Sequence, residues 1–334
     1  MKRKRHDGHA HHIAALFLWI LGGTIVLILG SFLLCYGLVN RIHYVTGTEI
    51  PTLSQAELDD FMKKTDFPGT ASCQIHSLGS TRQECTNILL IGQDRREGEP
   101  RARADCMILC TLCTESSELI MTSFLRDLYV RIPGYRNNRL NAAYAAGGMP
   151  LLKQTFQENF GIPIDGCIEV DFRQFTQLID QLGGITLLLR QDEADLLNEA
   201  QLGAPLHSGR QTLCGDQALA YARIRSLDSD GDFSRTTRQR NILKALFQRC
   251  QQTSLPDTLG FIKTAMPMLT TDLPKSRLLS LAKELFPLLP KMNISGQHIP
   301  VEGSYSYDTI QGMSVLVADL ESNRRFLEKQ FYNR

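Results

Sequence analysis

The segment Asn87-Ile-Leu-Leu-Ile-Gly-Gln-Asp94-Arg95 places an unbroken apolar run directly before a glycine and a group of polar residues. Two more apolar runs follow, from Cys106 to Leu112 and from Leu119 to Phe124. Such runs are typical of strands that are covered on both faces of a sheet. Further patterns predict strands over 167–172 and 185–189, and helices over 141–160, 172–182, 215–222, 234–250, 257–269, 274–288 and 311–330. Strands that alternate with helices predict an α/β fold, a layered αβα-type domain with a central mixed sheet.

The N-terminus carries a candidate membrane segment. Residues 13–39 contain no charged side chain and are long enough to cross a bilayer. Four Lys or Arg residues precede the segment and only Arg41 follows closely, which predicts a cytoplasmic N-terminus. No small-residue cleavage site ends the segment, so we interpret it as one uncleaved transmembrane signal anchor rather than a buried core helix. The chain then divides into a basic tail (1–12), the anchor (13–39), a juxtamembrane spacer or accessory segment (40–85) and an extracytoplasmic main domain (86–334).

The charge and histidine distribution excludes some classes of protein. The chain has a net charge of +1, and a near-neutral body does not predict extended nucleic-acid binding. Four of the eight histidines lie before residue 13, and none lies in the polar clusters described below. A hydrolase of the Ser-His-Asp or Cys-His type would need a histidine there. Any general base in this protein is therefore expected to be Asp.

Cysteines are numerous for a domain outside the cytoplasm. Of the nine, Cys73 and Cys85 are the best candidates for a disulfide, with free thiols as the alternative. The cysteines within apolar strand-like stretches are predicted to be small core residues: Cys106, Cys110, Cys113 and Cys167. Cys110 and Cys113 form a CxxC match, but strand alternation would direct the two thiols to opposite faces. No zinc site is predicted.

Acidic and basic residues stand together at the ends of the three apolar strands. The pairs are Asp94 with Arg95, Arg103 with Asp105, and Arg126 with Asp127. Ligands of open α/β sheets bind at strand ends, so these residues predict a crevice of mixed charge. Mg²⁺ (or Mn²⁺) commonly uses one or two carboxylates plus substrate phosphates, which fits this composition. The alternative is that each pair is only a surface ion pair or a turn.

A second cluster lies within residues 221–240 and contains five arginines and no lysine. Its arginines are Arg223, Arg225, Arg235, Arg238 and Arg240. Arginine favours bidentate recognition of phosphate. Arg235 and Gln239 share a helix face with apolar residues further along, so we expect both to point into the protein. A solvated basic face fits Arg238 and Arg240 better. The acidic stretch from Asp228 to Asp232 lacks the spacing of a calcium loop, and we interpret it as a flexible turn or lid.

These residues, in this order, resemble the LytR-CpsA-Psr (LCP) family. The matching strings are Asn87 to Arg95, Arg103 to Met107, Ser123 to Asp127, Ile132 to Gly134, Leu140 to Gly148, Val170 to Phe172, Leu182 to Ile185, Ala218 to Arg225 and Phe233 to Gln239. Together they cover about residues 86–330. The chain departs from the family pattern at Ala104, Cys106 and Leu125, and none of these replaces a charged ligand.

The resemblance implies a phosphotransferase of the bacterial cell envelope. Such an enzyme would transfer a glycopolymer phosphate from an undecaprenyl-diphosphate carrier to peptidoglycan, attaching teichoic acid or a capsule or other wall polysaccharide. By position, Asp94 and Asp105 would bind Mg²⁺. The diphosphate would be held by Arg95, Arg103, Arg126, Arg223, Arg225, Arg235 and Gln239. The long apolar helices would line a tunnel for the prenyl chain.

Phosphoryl transfer depends mainly on positioning and charge stabilisation, which arginine and metal supply. Asp105 or Asp127 would accept the proton of the attacking hydroxyl, with Arg126 stabilising charge beside them. The resemblance places the protein in the membrane of a Gram-positive-type bacterium. Two alternatives stay open from the residues: a non-catalytic binder of polyprenyl diphosphate that regulates the envelope, and a diphosphatase of the carrier.

Overall fold

A computed structural model describes residues 40–45, 85–95, 102–252, 262–285 and 287–332, together with Gly37 and Gly260. Its strands are β1 (His43–Tyr44), β2 (Cys85–Gln93), β3 (Ala104–Cys113), β4 (Glu118–Phe124), β5 (Tyr129–Val130), β6 (Asn138–Arg139), β7 (Gly166–Asp171), β8 (Ile185–Leu189), β9 (Gly209–Leu213), β10 (Thr270–Thr271), β11 (Asn293–Ile299), β12 (Tyr305–Ile310) and β13 (Met313–Ala318). Its α-helices are α1 (Leu140–Phe160), α2 (Phe172–Gln181), α3 (Gln191–Glu199), α4 (Gly215–Arg223), α5 (Asp232–Gln252), α6 (Lys275–Leu285) and α7 (Leu320–Tyr332).

The described strands form a seven-stranded mixed sheet in the order β1-β10-β7-β2-β3-β4-β11. Strand β3 runs antiparallel to both β2 and β4, whereas β2 is parallel to β7 and β4 is parallel to β11. The three other pairs, β5–β6, β8–β9 and β12–β13, are two-stranded and antiparallel. The predicted α/β fold with a central mixed sheet is therefore confirmed.

Both faces of the sheet are covered, which explains the continuous apolar runs. Met107 and Leu109 of β3 lie in the core that packs against α1. Ile108 and Cys110, the alternate residues, lie in a second cluster on the side of α5. Successive side chains of a strand point to opposite faces, so a strand between two helical layers needs apolar residues at every position.

Helix α1 confirms the predicted helix over 141–160 but is interrupted. Gly148 has a left-handed φ of 63°, and Pro150 follows two residues later. A proline lacks the amide donor that would continue the helical hydrogen bonds, and only glycine adopts such a φ without steric cost. Gly161, at φ 71°, ends the helix as predicted.

The predicted helix over 311–330 is wrong in its first part. Residues Met313–Ala318 form β13, which pairs with β12 through a turn at Gln311 and Gly312. Helix α7 begins only at Leu320. The stretch contains Val315 and Val317, and β-branched residues favour strands once a partner strand is present. Similarly, α5 begins at Asp232, two residues before the predicted start at residue 234.

The disulfide differs from the predicted one. Cys85 bonds to Cys113, while Cys73 lies outside the described residues. The antiparallel register sets Cys85 directly opposite Cys113, a pairing that depends on which strands meet and not on spacing in the chain. Cys113 is therefore not a free core residue. Cys110 and Cys167 are free and buried, as predicted.

The membrane anchor (13–39) and most of the spacer (40–85) lie outside the described residues, except for Gly37, residues 40–45 and Cys85. Among the residues that are described, no helix has both the length and the apolar character to cross a bilayer. The domain division stays a prediction.

Candidate active site

The polar pairs of the three strands meet at one edge of the sheet. Strands β2 and β4 end at this edge, and β3 begins there because it runs antiparallel to both. Gln93, the last residue of β2, is paired with Ala104, the first residue of β3. Asp94 and Asp105 follow these two residues directly, and Arg126 comes two residues after the end of β4. The predicted crevice therefore has its residues at a common strand edge.

Arg126 is the centre of a cluster of three carboxylates. Its Nη1 donates to Asp105 Oδ1. Its Nε lies 3.6 Å from Asp127 Oδ2 and 3.8 Å from Asp232 Oδ2. Burial by itself would lower the pKa of Arg126, but the hydrogen bond and charge of Asp105, with Asp127 and Asp232, raise it overall. The guanidinium is therefore a permanent cation.

Asp232 is a residue of the site that the sequence interpretation missed. It begins α5 and receives Arg235 Nη2 at 3.0 Å and Arg225 Nε at 3.4 Å. Burial raises the pKa of Asp232 above its ordinary 3.8, and the neighbouring carboxylates add to this, although Arg225 and Arg126 oppose it. The available signal was its position three residues before Arg235, the spacing of neighbours on a helix face.

Two arginine donors of this cluster are buried without a hydrogen-bond acceptor in the described structure. They are the Nε atoms of Arg126 and Arg235. Arg235 as a whole is only 3% exposed, which agrees with the prediction that it points inward. A buried polar group without a partner costs free energy, so such groups at a strand edge indicate that an anionic ligand completes the site.

The other predicted residues lie on a neighbouring part of the edge. Arg223 Nη2 lies 3.3 Å from Asp94 Oδ2, and its guanidinium lies 5.1 Å above the ring of Phe172. Arg95 pairs with Asp171 at 3.1 Å, away from Arg126. Arg103 is exposed and forms no ion pair within the described part of the chain. The structure thus gathers Asp105, Asp127, Arg126, Arg225 and Arg235 closely, with Asp94 and Arg223 as a second pair.

Arg238 and Arg240 contradict the prediction of a solvated basic face. Arg238 is 4% exposed and donates to Glu193 Oε1 at 2.8 Å and to Asp228. Arg240 is 8% exposed and donates to Ser123 Oγ at 2.7 Å and to Thr237 Oγ1 at 2.9 Å. Burial lowers the pKa of Arg240 to about 10. Both side chains are covered because α5 packs against α4 and the β8–β9 pair as well as the sheet.

The acidic turn from Asp228 to Asp232 is held at both of its ends, contrary to the interpretation as a free lid. Asp228 accepts from Arg190 Nη1 at 2.8 Å and from Arg238. The hydrogen bond from Arg190, followed by the one from Arg238, lowers the pKa of Asp228. Asp232 is held by the arginines of the site. The turn therefore fixes the start of α5 relative to the strand edge.

An apolar cavity of about 160 Å³ opens beside the polar edge. It lies over β2, β3 and β7 and is closed by α2, α4 and α5, with Leu90, Ile108, Val170, Phe175, Leu219 and Leu246 among its walls. Gln239 is the polar side chain in its lining, and Cys106 stands next to Asp105 at one end. Burial raises the pKa of the Cys106 thiol to about 12, so this wall stays neutral. The arrangement suits an amphiphile with an anionic head and an apolar tail.

The carboxylates at the strand ends are the candidate metal ligands of the site. Among the residues that the structure describes, no three or more His, Cys, Asp or Glu side chains gather as a metal site would need. Mg²⁺ needs fewer protein ligands than that, because it often takes one or two carboxylates and completes its shell with water and phosphate. Asp94 and Asp105, at adjacent strand ends, fit this pattern.

Three comparisons bear on the identity of the chain. A polyisoprenyl-teichoic acid–peptidoglycan teichoic acid transferase TagU of Oceanobacillus iheyensis is 31% identical over 323 residues, which is 92% of this chain and 91% of that protein. A TagU of Bacillus mycoides is 28% identical over 297 residues, or 87% of this chain and 90% of its own length. The solved structure of TagT bound to LIIa-WTA superposes with a TM-score of 0.60 at 27% identity and covers 75% of this chain and 90% of that one.

The family assignment has its own, broader support. The LytR_cpsA_psr family model matches residues 51–331, which include every strand from β2 onward and all seven helices named above except the last residue of α7. The chain therefore belongs to the LytR_cpsA_psr family.

Proposed function

We propose that this protein is a phosphotransferase that moves a glycopolymer phosphate from a polyprenyl-diphosphate carrier to peptidoglycan. The observation that carries the proposal is the placement of Arg126, with an unsatisfied buried donor, beside an apolar cavity at the same strand edge. A diphosphate head needs clustered guanidinium groups, and a prenyl tail needs an apolar enclosure. The TagU relatives, which are named for the transfer of teichoic acid to peptidoglycan, support this assignment.

The arginines would bind and orient the diphosphate. Arg126 and Arg235 offer the two buried Nε donors, and Arg225 stands next to them through Asp232. Arg223 and Gln239 lie toward the cavity and would contact the phosphate that carries the lipid. Donors fixed in place before the reaction stabilise the charge that develops on the transferred phosphate without further reorganisation.

The step itself forms one bond and breaks one. The oxygen of a peptidoglycan sugar hydroxyl would attack the phosphorus that carries the glycopolymer. The bond from this phosphorus to the bridging oxygen would break, and prenyl monophosphate would leave. The hydroxyl proton would pass to one of the three carboxylates around Arg126, namely Asp105, Asp127 or Asp232. Asp232 joins the two candidates from the sequence because its pKa is raised by burial, which strengthens a carboxylate as a base.

Magnesium would complete the site in this proposal. Asp94 and Asp105 are the residues that would hold it, and when bound it would neutralise charge on the diphosphate. Asp94 is paired with Arg223 and Asp105 with Arg126, so a bound Mg²⁺ would share these two carboxylates with the arginines.

The location of the domain is also part of the proposal. We place it outside the cytoplasmic membrane, anchored through residues 13–39. The Cys85–Cys113 disulfide supports this placement, because disulfides persist mainly outside the reducing cytosol.

The test is a transfer reaction with the full-length chain in detergent. It contains Mg²⁺, a synthetic undecaprenyl-diphosphate disaccharide and a peptidoglycan oligomer, and its products are analysed by mass spectrometry. We expect an acceptor that carries the phospho-sugar, and a loss of roughly 100-fold or more in rate in Arg126→Ala. Arg325→Ala is the matched control, since Arg325 forms a single exposed ion pair with Glu321 on α7.

Each other outcome points to a different function. Free phospho-sugar with or without the acceptor would identify a carrier diphosphatase. Tight binding of the carrier without any product, with several glycopolymers, would identify a non-catalytic binder. Replacing Asp105, Asp127 and Asp232 singly by Asn identifies the general base. Unchanged turnover in all three variants would exclude these carboxylates as the base.

A further inference from the structure

An exposed aromatic side chain stands next to the candidate active site. Tyr307 lies on β12 and is 66% exposed, an unusual position for a large ring. Its ring centroid is 5.9 Å from that of Tyr305, at 90° to it. Tyr305 in turn lies 5.0 Å from Phe233, which follows Asp232 at the start of α5. The aromatic series thus runs from the carboxylate cluster to the surface.

The β12–β13 hairpin is attached directly to the segment that carries Asp127. Tyr307 is paired with Leu316 across the hairpin. The backbone N–H of Leu316 donates to the carbonyl of Asp127 at 2.9 Å. Two strand spacings therefore separate the backbones of Tyr307 and the Asp127 segment, which is roughly 10 Å.

The electrostatics of Tyr307 agree with this placement. Burial raises the pKa of Tyr307, and the next contributions come from Tyr305 and the carboxylates of Asp232, Asp230 and Asp127. The phenol ring is therefore within electrostatic range of the same carboxylates that surround Arg126.

The hairpin and the apolar cavity lie on opposite faces of the sheet: the cavity lies on the α5 side, whereas Leu316 of the hairpin packs in the core with α1. The cavity lies over β7, β2 and β3. The hairpin joins the chain beyond β4, through the contact of β13 with the residues around Asp127. Arg126, just after β4, lies between the two.

This order along the edge matters for an in-line phosphoryl transfer. The attacking and leaving oxygens stand on opposite sides of the phosphorus. With the prenyl tail in the cavity, the leaving phosphate lies on the cavity side of Arg126. The attacking hydroxyl must therefore approach from the side of the hairpin.

We propose that Tyr307, supported by Tyr305, is the subsite on which a pyranose ring of the glycan acceptor stacks. One face of a pyranose ring carries C–H groups, and an exposed aromatic ring buries that face while the hydroxyls at the rim stay solvated. The subsite holds the acceptor sugar with a hydroxyl directed toward Asp127 and Arg126. The inference rests on the proposed transferase function and adds the position of its second substrate.

The test compares acceptor and donor kinetics in variants of the full-length chain. Tyr307→Ala is expected to raise the KM for a peptidoglycan oligomer about tenfold and to leave kcat and the KM for the lipid donor unchanged, because the lost contact is made equally in the ground and transition states. Tyr307→Phe keeps the ring and should match the wild type. Leu188→Ala is the matched control, because Leu188 is a comparably exposed apolar side chain on β8.

A second readout does not depend on turnover. Binding of the peptidoglycan oligomer alone is measured by calorimetry, with wild-type protein and with Tyr307→Ala. Loss of this binding without any transfer by the wild type would keep the subsite and reject the transferase. A rise in the KM for the donor in place of the acceptor would overturn the assignment and place the donor sugar on Tyr307. Unchanged acceptor KM and binding in Tyr307→Ala would overturn the subsite itself.

Discussion

Removal of the Cys85–Cys113 disulfide is expected to destabilise the domain by about 3.5 kcal/mol. The two cysteines are 28 residues apart in the chain. In the chain-entropy model, opening a loop of this length returns about 3.5 kcal/mol of conformational freedom to the unfolded state. A domain stability of 5–15 kcal/mol is typical, so this is a large share. For a domain of this size, the melting temperature should fall by roughly 10 °C.

The assay is thermal unfolding of the full-length chain in detergent, followed by circular dichroism before and after a phosphine reductant. The double variant Cys85→Ala/Cys113→Ala should have the melting temperature of the reduced wild type, and the reductant should not change it. Cys110→Ala is the matched control, because it removes a free buried thiol and should keep the full response. If the reductant yields two new titratable thiols in the wild type but leaves its melting temperature unchanged, the entropic reasoning is refuted. No new thiols would refute the disulfide.

Three further perturbations test the packing and charge of the site. Arg238→Met should lower the free energy of unfolding, measured with urea, by about 3 kcal/mol, because it removes the closer of the two cations paired with buried Glu193. Adding Glu193→Leu should recover most of the loss, and equal losses in the single and double variants would contradict this. Burial lowers the pKa of His298 below its ordinary 6.5, so the stability it contributes is fully present above pH 6.5 and is lost as the pH falls from 6.5 through the lowered pKa of the folded state. His298→Phe should therefore make the free energy of unfolding depend less on pH below pH 6.5. An unaltered pH dependence would exclude His298 as its cause. Leu219→Trp should fill the cavity and raise the KM for the lipid donor about tenfold, with the KM for the acceptor unchanged. An unchanged donor KM would show that the prenyl tail does not bind in this cavity.

The predicted strands β2, β3 and β4 were correct because burial on both faces leaves a local mark, a run of apolar residues without alternation. Strand β11 has no such mark. Its residues are mostly polar or small and half exposed, and it becomes a strand by pairing in parallel with β4. Strand β13 was hidden beneath an apparent helical pattern over 311–330, and β12 was not predicted.

The residues of the site also differ in whether the sequence alone identified them. Its arginines and aspartates were visible in the sequence because they follow strands or open a helix, and the motif strings of the family gave their order. The sequence did not identify the third carboxylate of the cluster beside Arg126, because Asp232 looks like part of a polar turn. Its role follows from the packing of α5 against the sheet.

The sequence by itself determined the fold class, the family and the residue types that could hold a diphosphate, because local periodicity and motif order survive without tertiary contacts. The tertiary structure alone decided that Cys85 meets Cys113, that Arg238 and Arg240 are buried, and that the hairpin carrying Tyr307 joins the segment of Asp127. Strand register is set by contacts between residues far apart in the chain. The same is true of the burial of helix α5 between the sheet and the elements α4 and β8. The physical reason is that such contacts depend on which surfaces are left to be covered once the sheet has formed, and no window of sequence contains that information.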